Sequence, residues 1–304
     1  MSGAVGHGRT GNLPAETSSF VGRSAERAAV ARALAAGRLV TLTGTGGVGK
    51  TRLALTAAAD VRDRFTDGVW LADLSVLRSS RLLARTVASA FGVQEHTARP
   101  DLDVLAEFLS GHRALLVLDN CEHLVTAVAT LAFELLAAAP ELRILTTSRR
   151  RLSVPGEHVL AVEPLPVGPA PDGAGPDQAG GAVRLFTERA AANGSGFRLM
   201  EQNMETVRTL CDRLEGIPLA LELAAARLRL LSPEQLLSRV EDRFRLLAGS
   251  GRSGPRHHET LRGAIGWSHE LCTPVESSPP GSGSSGAPVV DSGKGGTTWS
   301  VRWP

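Results

Sequence analysis

Residues 38–65 constrain the fold more than any other stretch. An apolar β-type run, RLVTLTG (38–44), passes directly into Gly44-Thr45-Gly46-Gly47-Val48-Gly49-Lys50-Thr51 and then into a helical run, RLALTAAADVRDRF (52–65). This matches G-x-x-x-x-G-K-[ST], and the strand before and helix after supply the context that makes the pattern specific. Each residue type has a mechanical reason. Glycines tolerate positive φ and let successive backbone N–H groups curl around an anion. The helix N-terminus adds free donors and positive potential. Lys50 is expected to neutralise the β- and γ-phosphates of a nucleotide, and the Thr51 hydroxyl to sit on Mg²⁺. Thr45 through Arg52 form the expected phosphate-contacting set. Lysine is otherwise rare, with Lys50 and Lys294 the only two, so a lysine inside a glycine loop demands a specific role.

The surrounding pattern extends this unit. VWLADL (69–74), ALLVLD (114–119), LRILTTS (142–148) and HVLAVEPL (158–165) read as further strands. Their near-continuous apolar character suits parallel strands buried on both faces. Helical runs at 80–92, 104–111 and 122–139 alternate with them. The expected fold class is α/β, a P-loop NTPase domain over 18–166 with a parallel sheet flanked by helices. Residues 1–17 are rich in Gly, Ser and Thr and read as disordered. Residues 167–182 are rich in Gly, Pro, Ala and Asp and read as a linker. From 183 to 250 the period is helical only, giving a small all-α domain. Ser232-Pro233-Glu234-Gln235 carries a capping Ser, Pro at the first position and Gln three residues on.

Composition excludes several classes. The 33 Lys and Arg against 31 Asp and Glu leave a net charge of +2, which makes no electrostatic case for nucleic acid or a membrane surface. Cys121, Cys211 and Cys272 are too scattered for a disulfide framework or zinc site. No apolar run approaches the roughly 18–20 residues needed to span a bilayer, and the first residues lack signal-peptide character. The expectation is a cytoplasmic chain with free thiols and no direct contact with DNA or membrane.

Two further clusters carry chemistry. ALLVLD is an apolar strand ending in an acid, and Asp119 is expected to hold Mg²⁺ beside the loop, at the carboxyl edge of the sheet. Asn120 or Glu122 could orient an attacking water, since no acid directly follows Asp119; Glu122 equally suits a first-turn acid favoured by the helix dipole. Cys121 and His123 form no metal set. Thr146-Thr147-Ser148-Arg149 ends a strand expected next to that of Asp119, where Arg149 could report on a γ-phosphate. Gly216-Ile217-Pro218-Leu219 interrupts the helical region, either as a bland loop or as a flat apolar surface offered to a base. Phe20-Val21-Gly22-Arg23, followed by Glu26, reads as a turn and a helix start.

In this order, the motifs F-V-G-R, G-T-G-G-V-G-K-T, L-L-V-L-D-N-C-E-H-L, T-T-S-R and E-G-I-P-L-A-L-E-L-A-A-A-R resemble the STAND class of P-loop NTPases. They are closest to the NB-ARC-like ATPase module of AfsR/SARP and LuxR-type ATP-binding bacterial regulators. The resemblance runs from about Leu13 to Glu276. It implies that Val21, Gly22 and Arg23 line an adenine pocket, that Gly46 to Thr51 hold phosphates and metal, and that Asp119 is the Walker B acid. It also implies that Arg149 is the sensor arginine and that Pro218, with Leu219 beside it, packs on the adenine or ribose. The implied function is an ATP/ADP switch: ADP holds a closed monomer, ATP promotes assembly, and slow hydrolysis resets the state. A P-loop ATPase or kinase turning over freely, and a non-functional fragment, are the competing readings. His258 to Ser268 resembles the family's entry into a winged-helix domain, so 251–276 reads as a partial one. Residues 277–304, dominated by Gly, Ser and Pro, depart from the family and read as the out-of-frame tail of a truncated or frameshifted gene.

Overall fold

The computed structural model describes residues 11–16, 18–93, 99–168 and 180–248. The expected winged-helix entry, the tail with Lys294, Cys272 and most of the 167–182 linker lie outside these residues.

Five parallel strands form one sheet. They are β1 (Leu39–Thr43), β2 (Val69–Asp73), β3 (Leu115–Asp119), β4 (Arg143–Ser148) and β5 (Glu157–Ala161), arranged β2-β3-β4-β1-β5. All five strands expected from the apolar runs are present. Register pairs Leu42 of β1 with Thr147 of β4, and Asp73 of β2 with Asp119 of β3. The strand carrying Arg143–Ser148 therefore separates the loop strand from the Asp119 strand, and is parallel neighbour to both.

The alternation of side chains explains why the strands read as continuously apolar. Leu116 and Leu118 of β3 face one core while Leu115 and Val117 face another. The first core is completed by α3 (Leu83–Ala90), α4 (Asp101–Leu109) and α5 (Val125–Ala138), through Val87, Leu105, Leu131 and Leu135. The second is completed by α1 (Ser24–Ala36) and α2 (Lys50–Asp60), through Val30, Leu34, Leu53 and Ala57. Helices on both faces leave no side of the central strands to water, as parallel sheets require. The sequence run 52–65 exceeds the helix it forms: α2 stops at Asp60, and a short 3₁₀ turn follows at Arg62–Arg64.

A third core belongs to α6 (Gly181–Ala192), α7 (Glu201–Arg213), α8 (Pro218–Arg227) and α9 (Pro233–Ala248), around the fully buried Phe186. Helix α6 starts at Gly181, within the stretch whose composition reads as linker. Ser232 caps α9 as its sequence predicts, its Oγ accepting from the Gln235 N–H at 3.3 Å while Gln235 Oε1 accepts from the Ser232 N–H. Val21 and Leu165, from outside these helices, are buried in the same core and join it to the sheet.

Residues 11–16 also have defined contacts, although composition gives no sign of them. Asn12 lies against the outer edge of β2: its side-chain amide donates to the Leu71 carbonyl at 2.9 Å and accepts from the Leu71 N–H. Glu16 accepts from Thr56 of α2.

Gly216 fixes the join between sheet and helices. Its φ is +61°, and a Cβ there would meet the Leu165 carbonyl oxygen, while its own carbonyl accepts the Leu165 N–H at 2.9 Å. Gly216→Ala is expected to cost at least about 2 kcal/mol, from backbone strain and the displaced Leu165 segment. Urea unfolding that gives a variant within 0.5 kcal/mol of the wild type would contradict this packing.

Candidate functional site

The site lies at the carboxyl ends of β1, β3 and β4. The loop between β1 and α2 turns on glycine: Gly47 has φ +74° and Gly49, the residue before α2, φ +94°. Side chains rarely adopt this region, so the repeated Gly-x-Gly spacing is what lets the backbone curl. Lys50 opens α2 with its side chain largely buried, and its Nζ donates to the Gly44 carbonyl at 3.0 Å and the Thr45 carbonyl at 2.9 Å. Burial pushes the Lys50 ammonium below its usual pKa, with Arg149 acting the same way and Glu122 and Asp119 opposing. Thr45 Oγ1 is buried without a hydrogen-bond partner. An orphaned hydroxyl and a glycine-curled backbone fit a phosphate group, which accepts from both.

Asp119 ends β3 and is 4% exposed. Its carboxylate collects three side-chain donors, one of them shared between both oxygens. Thr51 Oγ1 of α2 reaches both oxygens, at 2.8 and 3.0 Å, and Thr147 Oγ1 of β4 donates to Oδ1. The Asn120 side-chain amide donates to Oδ2 at 2.8 Å. Asn120 holds this position with φ +60°, and its backbone N–H donates to Thr147 Oγ1 at 3.0 Å. Burial raises the Asp119 pKa, and Asp73 and Glu122 add to the rise; the Thr147 and Thr51 hydrogen bonds oppose it. Thr51 and Asp119, the pair expected at Mg²⁺, are in direct contact. One hydroxyl and one carboxylate fit that hard cation, which takes few protein oxygens and keeps several waters.

Glu122 sits in the 3₁₀ turn Cys121–His123, and its Oε1 accepts from Arg149 Nε at 3.2 Å. Its other oxygen is buried with no partner. Cys121 and His123 serve local structure. The Cys121 thiol donates to the Leu118 carbonyl and burial pushes its pKa up, while His123 Nε2 lies 2.8 Å from the Leu77 carbonyl.

The helical region closes the other side. Leu219 N–H, at the start of α8, donates to the Gly47 carbonyl at 3.2 Å. Pro218 faces Gly49, its Cγ within van der Waals reach of where a Cβ would lie. Arg23 is buried, and its Nη2 bridges the Val48 carbonyl at 2.8 Å and the Glu163 carbonyl at 2.9 Å. Burial lowers its pKa and Glu26 opposes. Val21, Gly22 and Arg23 thus lie where the loop meets the helices, with Arg23 fastening loop to sheet. Arg52 turns away from the phosphate loop. Its Nη2 donates to the Ser18 and Ser19 carbonyls, its Nη1 lies 3.5 Å from Glu222, and its guanidinium stacks over Phe20.

Three positions have roles that the motifs do not assign. Thr147 connects Asp119 to Asn120. Asp73 stands opposite Asp119 and accepts from the Asn120 amide at 3.4 Å. Glu222 meets Arg52 across the junction. Two signals pointed to the first pair: VWLAD ends in an acid as LLVLD does, and TTS is polar within an otherwise apolar strand. Glu222 had only its charge in an apolar helix.

Residues 34–154 match the AAA domain family. A Mycobacterium bovis protein, provisionally named as an HTH-type transcriptional regulator, is 43% identical over 243 residues, which is 80% of this chain and 26% of the relative. The regulatory protein AfsR of Streptomyces griseus is 29% identical over 230 residues, 71% of this chain and 21% of AfsR. Over residues 34–154 the chain carries an AAA-type P-loop ATPase-like domain. An uncharacterized Mycobacterium bovis protein is 40% identical over 258 residues, 85% of this chain and 63% of that one. The chain thus spans about a quarter of the regulator and under two thirds of the uncharacterized relative. Among solved structures, the Walker-type ATPase of Pyrococcus abyssi overlaps with TM-score 0.49 at 15% identity, covering 76% of this chain and 74% of that one. A STAND protein with a tetratricopeptide repeat sensor from Pyrococcus horikoshii gives 0.46 at 16%, covering 81% and 39%.

The raised Asp119 pKa has a consequence for stability. The folded state holds this proton more tightly than the unfolded chain, so the contribution is complete below the ordinary 3.8 and is lost as pH rises through the raised value. Asp119→Asn removes that loss. Its stability relative to wild type should therefore improve between pH 4 and pH 7, as measured by urea unfolding at each pH. A difference independent of pH would rule out the buried carboxylate as described.

Proposed function

We propose that the module is an adenine-nucleotide switch with slow ATP hydrolysis, working in a regulator. The observation that carries this reading is the junction itself. The glycine loop and the Gly216–Leu219 break are joined by a direct hydrogen bond, so a nucleotide held by the loop also touches the helical region. A contact of that kind lets the bound nucleotide bias how the two regions sit, which is what a switch needs.

Each residue has a part in this reading. Backbone donors of Gly46 to Thr51 and the Lys50 ammonium bind the phosphates. Val21, Gly22, Arg23, Pro218 and Leu219 shape the adenine and ribose end. Thr51 and Asp119 would hold Mg²⁺, which would supply positive charge to the phosphate oxygens. Thr147 and Asn120 keep the Asp119 carboxylate turned toward Thr51. Asn120 spends its amide on two carboxylates, which leaves Glu122 the better candidate to orient a water. Arg149 holds Glu122 through one oxygen and, in this reading, answers to a γ-phosphate. The absence of an acid directly after Asp119 supports slow rather than rapid turnover. Self-association in the ATP state belongs to the same reading, as does a reducing cytoplasmic setting. Cys121 and Cys211 are buried free thiols, and burial pushes Cys211 up to about 12. Among the described residues no helix is long and apolar enough to cross a membrane.

Lys50→Ala is expected to abolish nucleotide binding in calorimetry, and an unchanged affinity would remove the loop from the mechanism. Asp119→Asn should leave ADP binding largely intact while reducing Mg²⁺-dependent hydrolysis by at least about tenfold. Wild-type turnover in that variant would refute its metal role. Mass spectrometry of the purified chain should find retained ADP. Rapid steady-state hydrolysis without any retained nucleotide would favour a turnover enzyme.

A further inference from the structure

Glu222 is an isolated acid in an apolar helix. In PLALELAAAR it lies one turn beyond Pro218, while its neighbours Ala220, Leu221, Ala224 and Ala225 are buried. Two arginines from different layers converge on its Oε1: Arg189 Nε of α6 at 3.0 Å and Arg52 Nη1 of α2 at 3.5 Å. Arg52 directly follows Thr51, so α2 joins this cluster to the phosphate loop by a single peptide. The segment before α1 completes it. The Ser19 carbonyl accepts from Arg52 at 2.9 Å and from Arg189 at 2.8 Å, and the Ser19 hydroxyl accepts from Arg189 and donates to Glu188. Arg52 also stacks on Phe20.

The cluster therefore holds three bodies at one point: the loop helix, the helical region and the entering segment. The junction is also crossed by the hydrogen bonds from the Leu219 N–H to Gly47 and from the Leu165 N–H to Gly216. A carboxylate shared by two guanidiniums is charge-assisted, and removing it leaves two cations facing each other. Glu222 side chain is 34% exposed, so the interaction is partly screened and open to salt.

We propose that Glu222 is an electrostatic latch on the junction, and that its hold on Arg52 and Arg189 sets how fast a bound nucleotide leaves. This rests on the nucleotide reading above. A nucleotide between the glycine loop and Pro218 can depart only when α8 moves off the loop, and the latch resists that movement one helical turn away. Its role is in release rate, since none of its groups faces the loop's interior.

The test uses the full chain with a fluorescent ADP derivative, displaced by excess unlabelled ADP in a stopped-flow instrument. In Glu222→Gln, release should quicken about three- to tenfold. Raising NaCl from about 0.05 to 0.5 M should speed release from the wild type and have a much smaller effect on the variant. Arg189→Gln removes one arm of the same cluster and should show an intermediate rate, which keeps the test open if Glu222→Gln does not fold. Unchanged release in whichever variants fold, with the wild-type salt dependence, would overturn the latch while leaving nucleotide binding intact. No binding of the derivative by the wild type would overturn the nucleotide reading and the latch with it.

Discussion

The Asp119 carboxylate is the point on which the site depends. Strand β4 stands between the loop strand and the Asp119 strand, so backbone pairing alone does not join Asp119 to the loop. The join is made by side chains: Thr51 from the loop helix, Thr147 from the intervening strand and Asn120 from the turn beyond. A buried carboxylate is costly unless its oxygens are occupied, and here both are. The donors that make the charge tolerable also fix its direction. Any group that binds between Thr51 and Asp119 must replace hydrogen bonds that already stabilise the acid.

The same economy appears at the junction between sheet and helices. Polar contacts cross it at several points: the backbone hydrogen bonds of Leu219 to Gly47 and of Leu165 to Gly216, and the cluster around Glu222. Apolar joining comes from Val21 and Leu165, with Val167 packed beside them. Such an interface can be firm when its polar groups are paired and still separate without exposing a large hydrophobic surface. That property distinguishes it from the two cores of the sheet, where continuous apolar packing leaves no comparable route for relative movement.

Much of this was legible in the sequence because it follows from local rules. The glycine loop, the five apolar strands and the capping Ser232 are each specified within a few residues. The adjacency of the Asp119 and Arg149 strands could be read as well, since strand-end polar residues need a common edge. Other features depend on pairings that short-range pattern does not encode. Arg52 follows the loop in sequence yet points to Ser18, Ser19 and Glu222, because a helix turns consecutive side chains by about 100°. Arg23, expected beside the adenine, spends its guanidinium on two carbonyls. Asn120 was a candidate to orient water and instead secures Asp119. For the two arginines the partners lie far along the chain, while Asn120 turns back on the residue before it through a backbone of positive φ.

Asn12 has a consequence of a different kind. An outermost strand exposes a row of unpaired peptide groups, which can recruit a strand from another molecule and seed aggregation. The Asn12 amide has the same donor and acceptor as a peptide unit, and it occupies both backbone groups of Leu71 on the outer side of β2. The Asn12 backbone N–H adds a bond to the Val69 carbonyl, beside a parallel bridge from Gly11, so two residues and one side chain cover this edge without a further strand.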